Sequence, residues 1–102
     1  MIFILTTCKN TKEAKRIATM LLRLRLVACA KWWPIASSYW WEGRIVSAKE
    51  TALLCEGRKK HWRKIEGTLR RLHRDEIPCI VAWEAARVHA SYHRWLHNVT
   101  GG

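Results

Sequence analysis

Acidic residues are scarce in this chain. Eight Asp and Glu stand against nineteen Lys and Arg, which leaves a net charge of +11 over 102 residues. Long apolar runs are also missing: no stretch of about 18 apolar residues occurs, so no membrane-spanning helix is expected. The opening Met1-Ile2-Phe3-Ile4-Leu5 lacks the basic flank and extended apolar segment of a secretory signal. That points to the cytoplasm and to reduced thiols at Cys8, Cys29, Cys55 and Cys79. No two of these form a Cys-x-x-Cys pair, which excludes zinc-finger spacing. A glycine-rich phosphate loop, a nucleophile elbow and an H-E-x-x-H helix are absent too. Asp75 and Glu76 are adjacent but flanked by basic residues, unlike a tuned acid–base pair. The chain therefore reads as non-enzymatic. No repeat, linker or low-complexity segment divides it, so residues 1–102 are expected to form one domain.

What is present is apolar, aromatic and basic. Hydrophobic residues make up 49% of the chain, which excludes disorder, and seven residues are tryptophan. That many indoles exceed what one small core can hold, so some are expected to meet another subunit. The positive charge is concentrated: residues 9–25 carry six Lys/Arg against Glu13, and residues 58–74 carry eight against Glu66. Both stretches have helical periodicity, which places the charge on helix exteriors as a solvated face or as an attractor of anions.

The pattern along the chain is β-α-β-β-α-β followed by a last helix. Ile2–Leu5, closed by Thr6-Thr7, reads as a strand buried on both faces. Asn10 caps a helix in which Ala14, Ile17, Ala18, Leu21 and Leu22 share one face and Glu13 can reach back to the cap. A second strand starts at Leu26-Val27-Ala28-Cys29-Ala30, and Pro34 implies an interruption there, by a bulge or an edge position. Ser38–Trp41, a Glu42-Gly43-Arg44 turn and a return arm over 45–55 give a hairpin too long for its own sheet. Other copies of the chain would cover its edges. A helix over 59–72, a strand over 79–83 and a short helix carrying Tyr92, Trp95, Leu96 and Val99 complete an α+β, ferredoxin-like split βαβ fold.

Several segments then stand in a characteristic order: Thr6-Thr7, Leu26-Val27-Ala28-Cys29-Ala30, Tyr39-Trp40-Trp41-Glu42-Gly43, Lys49-Glu50, His73 with Pro78 five residues on, and Tyr92-x-x-Trp95-Leu96. In that order they resemble the CutA family of divalent-cation tolerance proteins along nearly the whole chain. The resemblance implies a homotrimer in which long strands pair around a three-fold axis, an architecture similar to PII signalling proteins. It also implies a role in tolerance of copper and other divalent ions. The chain departs from the family pattern in two places. His73-Arg74-Asp75-Glu76-Ile77-Pro78 stands where the family reads His-Pro-Tyr-x-x-Pro, and Cys55-Glu56-Gly57 stands where it reads Leu-Lys-Thr.

For a metal ion the candidate ligands are Cys29, His93 and His97. Cys29 lies in a matched segment and is a suitable soft ligand for cuprous copper. His93 and His97 stand four apart on the last helix, which sets two imidazoles side by side, with His89 four residues earlier. Two imidazoles supply half a tetrahedral shell, so a neighbouring subunit would have to complete it. Cys8 is placed outside the strands and the other three thiols within them, where cysteine more commonly serves as a small hydrophobe. Tyr39, Trp40, Trp41, Glu50, His73, Tyr92 and Trp95 are the candidates for the cleft between subunits. Glu50, beside Lys49, supplies a carboxylate or half of an ion pair, and His73 can orient the loop that follows it. The competing reading is a nucleic-acid or other polyanion-binding module using the basic helix faces. The aromatic pattern of the RNA-recognition sheet is missing, and the basic residues lie on helices.

Overall fold

The computed structural model describes residues 1–101; Gly102, the last residue of the expected domain, lies outside the described residues. In chain order the elements are β1 (Ile2–Cys8), α1 (Thr11–Arg23), β2 (Val27–Trp41), β3 (Arg44–Gly57), a 3-10 turn (Lys59–His61), α2 (Trp62–Leu72), β4 (Ile80–Glu84) and α3 (Ala90–Val99). The four strands form one antiparallel sheet in the order β2-β3-β1-β4. This is the ferredoxin-like α+β fold expected from the sequence.

Alternation sorts the sheet residues onto two faces. Ile2, Ile4, Thr6 and Cys8 of β1 are buried and stand beside Gly57, Cys55, Leu53 and Thr51 of β3. Ala14, Ile17, Ala18 and Leu21 of α1 and Ile65 and Leu69 of α2 close over this face as one core. The opposite face carries Phe3, Leu5 and Thr7 of β1, beside Glu56, Leu54 and Ala52 of β3. β1 is therefore fully buried on its helix side only, not on both faces as its continuous apolar run suggests.

Local chemistry explains the element ends. Asn10 accepts from the Glu13 backbone N–H at 2.9 Å, and Glu13 accepts from the Lys9 N–H at 3.0 Å, so the first turn of α1 is closed from both sides. The helix ends in a Schellman turn. Leu26 N–H donates to the Leu21 carbonyl and Arg25 N–H to the Leu22 carbonyl, with Arg25 at φ 60°. Gly57 meets a close approach: a Cβ there would lie 2.8 Å from the Leu26 carbonyl oxygen.

Three details differ from expectation. β2 runs unbroken through Pro34, which pairs with Thr51; the irregularity lies earlier, between Val27 and Cys29. Because β2 is the edge strand, Pro34 can sit in it without removing a ladder bond, so the edge alternative holds and the interruption does not. Cys8 closes β1, and Cys79 sits just before β4, which begins at Ile80.

β1 stops at Cys8, opposite Thr51, whereas β2 and β3 stay paired out to Trp41 and Arg44. Some seven pairs of the hairpin therefore project past the sheet, and the chain measures 45 × 25 × 22 Å. The tip turn puts Glu42 at φ 51° and Gly43 at φ 78°, the two positive dihedrals of a type I′ hairpin. Trp40 and Ile45 pair beside the tip and are 72% and 64% exposed.

Candidate functional site

Two constellations are built on this frame. The first lies under α3, on the sheet face that α1 and α2 leave open. Glu56 is buried there although it belongs to the apolar run Ala52-Leu53-Leu54-Cys55. One carboxylate oxygen accepts from the Lys31 ammonium at 2.5 Å and the other from the Tyr92 hydroxyl. The bond to Glu56, then burial, pushes the Tyr92 phenol up to about 12. The same carboxylate raises Lys31, opposed by burial and helped by the Cys29 side chain beside it. With both oxygens engaged, Glu56 is an anchor that ties β2 and α3 to the middle of the sheet. Trp95 packs against Tyr92 with ring centroids 5.2 Å apart.

The second lies where α2 ends. His73 is buried, and its Nε2 is 2.6 Å from Thr6 Oγ1, whose hydroxyl donates to the Cys79 carbonyl at 2.6 Å. Thr6 has one proton to give, so Nε2 must be the donor and His73 a neutral Nε2–H tautomer. Its Nδ1 is buried and has no partner among the described residues. Burial lowers the His73 pKa, partly offset by the nearby Glu13 and Asp75. His73 thus bonds to Thr6 of β1, and it is Thr6 that holds the Cys79 carbonyl at the far end of the loop. Burial also pushes the Cys8 thiol up to about 12, with Glu13 and Asp75 adding to it. Cys79 is raised by burial and by Glu50.

The proposed ligands are only partly assembled. His93 and His97 do stand together on α3, their rings stacked with centroids 4.3 Å apart. Cys29 stands instead beside Lys31, on the Glu56 row of the sheet. Among the described residues, no three His, Cys, Asp or Glu side chains form a group able to hold a metal ion. Burial also pushes Cys55 up to about 12, the behaviour of a core thiol. Lys49 and Glu50 are consecutive on β3 and point to opposite faces, so the ion-pair reading of Glu50 fails.

Tyr39, Trp40 and Trp41 all lie in the projecting hairpin. Sequence reasoning did not place Lys31 or Glu56 in a site. The available signal was a single acid inside an apolar strand, at one of the two places where the chain departs from the family pattern.

A ferredoxin-like domain with a projecting hairpin and an aromatic, half-covered sheet face places the chain among the α+β proteins of the split βαβ class. A family comparison narrows this. The model of the CutA1 divalent ion tolerance proteins matches residues 2–99, and the chain belongs to that family. A relative from Thermotoga maritima, a divalent-cation tolerance protein CutA, is 35% identical over 96 residues, 94% of this chain and 95% of its own. A solved structure from Archaeoglobus fulgidus, called a periplasmic divalent cation tolerance protein CutA, superposes with a TM-score of 0.95. It is 33% identical and covers 98% of this chain and 99% of its own. CutA1 from Pyrococcus horikoshii superposes with a TM-score of 0.95 at 29% identity over 100% of both chains.

Proposed function

We propose that this chain works as a homotrimer in the response to divalent metal ions, copper among them, as a binding or scaffold protein rather than a catalyst. The observation that carries the assembly is the hairpin: residues beyond Pro34 and Thr51 pair only with each other, with no third strand beneath them. Its Tyr39 and Trp40, and Trp33, Val81 and Trp83 on the open sheet face, are exposed in one chain. Copies of the chain are the natural cover for such an edge and face.

For metal, one chain contributes the His93–His97 pair on α3 and the Cys29 thiol on β2. These are intermediate and soft donors suited to copper, and they need a second chain to complete a shell. The four free cysteines support a reducing cytoplasm, although a relative carries a periplasmic name. No helix among the described residues is long and apolar enough to cross a membrane.

Titration calorimetry with cupric ion, and with cuprous ion under a reductant, tests the metal half. Cys29→Ala and the pair His93→Ala/His97→Ala should each weaken binding about tenfold or more. Unchanged affinity in both variants would remove these residues from the reading.

A further inference from the structure

We infer that the outer surface of α1 and α2 is a docking face for the phosphate backbone of double-stranded nucleic acid. Both helices spend their apolar stripes on the same side of the sheet: Ala14, Ile17, Ala18 and Leu21 from α1, Ile65 and Leu69 from α2. What they turn to solvent is basic. Lys12, Lys15, Arg16 and Arg23 are exposed on α1, and Arg63, Lys64, Arg70 and Arg71 on α2. With the residues flanking the helices, fourteen of the nineteen Lys and Arg fall in these two stretches. Their two acids, Glu13 and Glu66, can offset only two of these fourteen charges.

The shape of the face selects the ligand. A shallow groove of about 360 Å³ follows α1 and is lined by Lys12, Lys15, Arg16, Thr19, Met20 and Arg23. At 1.5 Å per residue α1 is roughly 20 Å long, enough to face on the order of ten phosphates of a duplex. The aromatic residue of this layer, Trp62, is partly buried against the core, so it offers no stacking platform for single-stranded bases. Rows of exposed cations spread along two helix exteriors fit a phosphate-backbone contact that is blind to sequence. A lipid surface would need apolar side chains to insert, and here those form the core except for Met20, Leu22 and Leu24 at one end of α1. This surface is separate from α3 and the open sheet face, so the inference stands independently of the metal reading.

The test uses the full chain and a fluorescent duplex of about 20 base pairs, followed by anisotropy over roughly 50 to 200 mM KCl. Binding should be indifferent to sequence and should weaken with a log–log salt slope of about −4 or steeper. The variant Lys12→Gln/Lys15→Gln/Arg63→Gln/Lys64→Gln should flatten that slope by about one per lysine or arginine lost. The control Arg44→Gln/Arg94→Gln, at the hairpin tip and on α3, should leave it unchanged. Far-UV circular dichroism checks the fold of each variant, and the wild-type salt slope decides the matter should the quadruple variant not fold. No duplex binding at the lowest salt, an equal loss in the control, or capture by phosphatidylserine vesicles without duplex binding would each overturn the proposal.

Discussion

At the residue scale, Glu56 and His73 show how a buried polar group is made tolerable. Glu56 sits among apolar neighbours and is satisfied by one phenol and one ammonium, so removing either partner leaves part of its charge uncompensated. Tyr92→Phe should destabilise the fold by about 1.5 kcal/mol in urea titrations. It should also remove from an absorbance titration the phenol that Glu56 pushes up to about 12. Unchanged stability would mean that the anchor is an incidental contact. His73 is the opposite case, a group whose second nitrogen, an acceptor in this tautomer, meets no donor among the described residues. Its folded pKa is lowered by burial, so its contribution is present above the unfolded value near 6.5 and fades as pH falls below it. Stability should therefore drop as pH falls below about 6.5, and His73→Gln should shrink that drop. Cys8 and Cys55, both pushed up to about 12 by burial, should resist alkylation until the chain unfolds.

At the element scale, the hairpin is the part of the molecule with the least support from its own sheet. Glu42 occupies a positive-φ position that asparagine fills with less strain, and its exposed side chain makes no ion pair among the described residues. Glu42→Asn should raise stability by about 0.5–1 kcal/mol, read from the urea midpoint at constant slope. A loss of stability would show that the tip makes contacts of its own through Glu42. This hairpin was legible from Tyr39–Gly43 and the alternation on each side, and α1 was legible from Asn10 and Glu13. The path of β2 through Pro34 was not, because whether proline breaks a strand depends on its place in the sheet. Strand order is not written in any local window. The His93–His97 pair follows from helical spacing alone, whereas the grouping of Lys31, Glu56 and Tyr92 needs β2, β3 and α3 to be placed in three dimensions.

At the scale of the whole molecule, one subunit leaves a surface that few monomers keep. Trp33, Tyr39, Trp40, Ile45, Val81, Trp83 and Trp95 are exposed large hydrophobics, and they lie on the open sheet face, the hairpin and α3. Phe3 and Trp83 stack at 5.4 Å on that face and extend its aromatic area. Such an area on a basic protein that remained monomeric would be an aggregation liability. The proposed trimer would cover this face and leave the charged outer surface of α1 and α2 in water. Trp83→Glu, which places a charge on the open face beside Phe3, should lower the mass in solution without unfolding the subunit. The direct test of the central claim is the mass of the wild-type chain by light scattering at moderate salt, with and without cupric ion. The account predicts a particle near three times 12.0 kDa in both conditions. A particle of 12.0 kDa would contradict it, because the hairpin and its tryptophans would then be left uncovered.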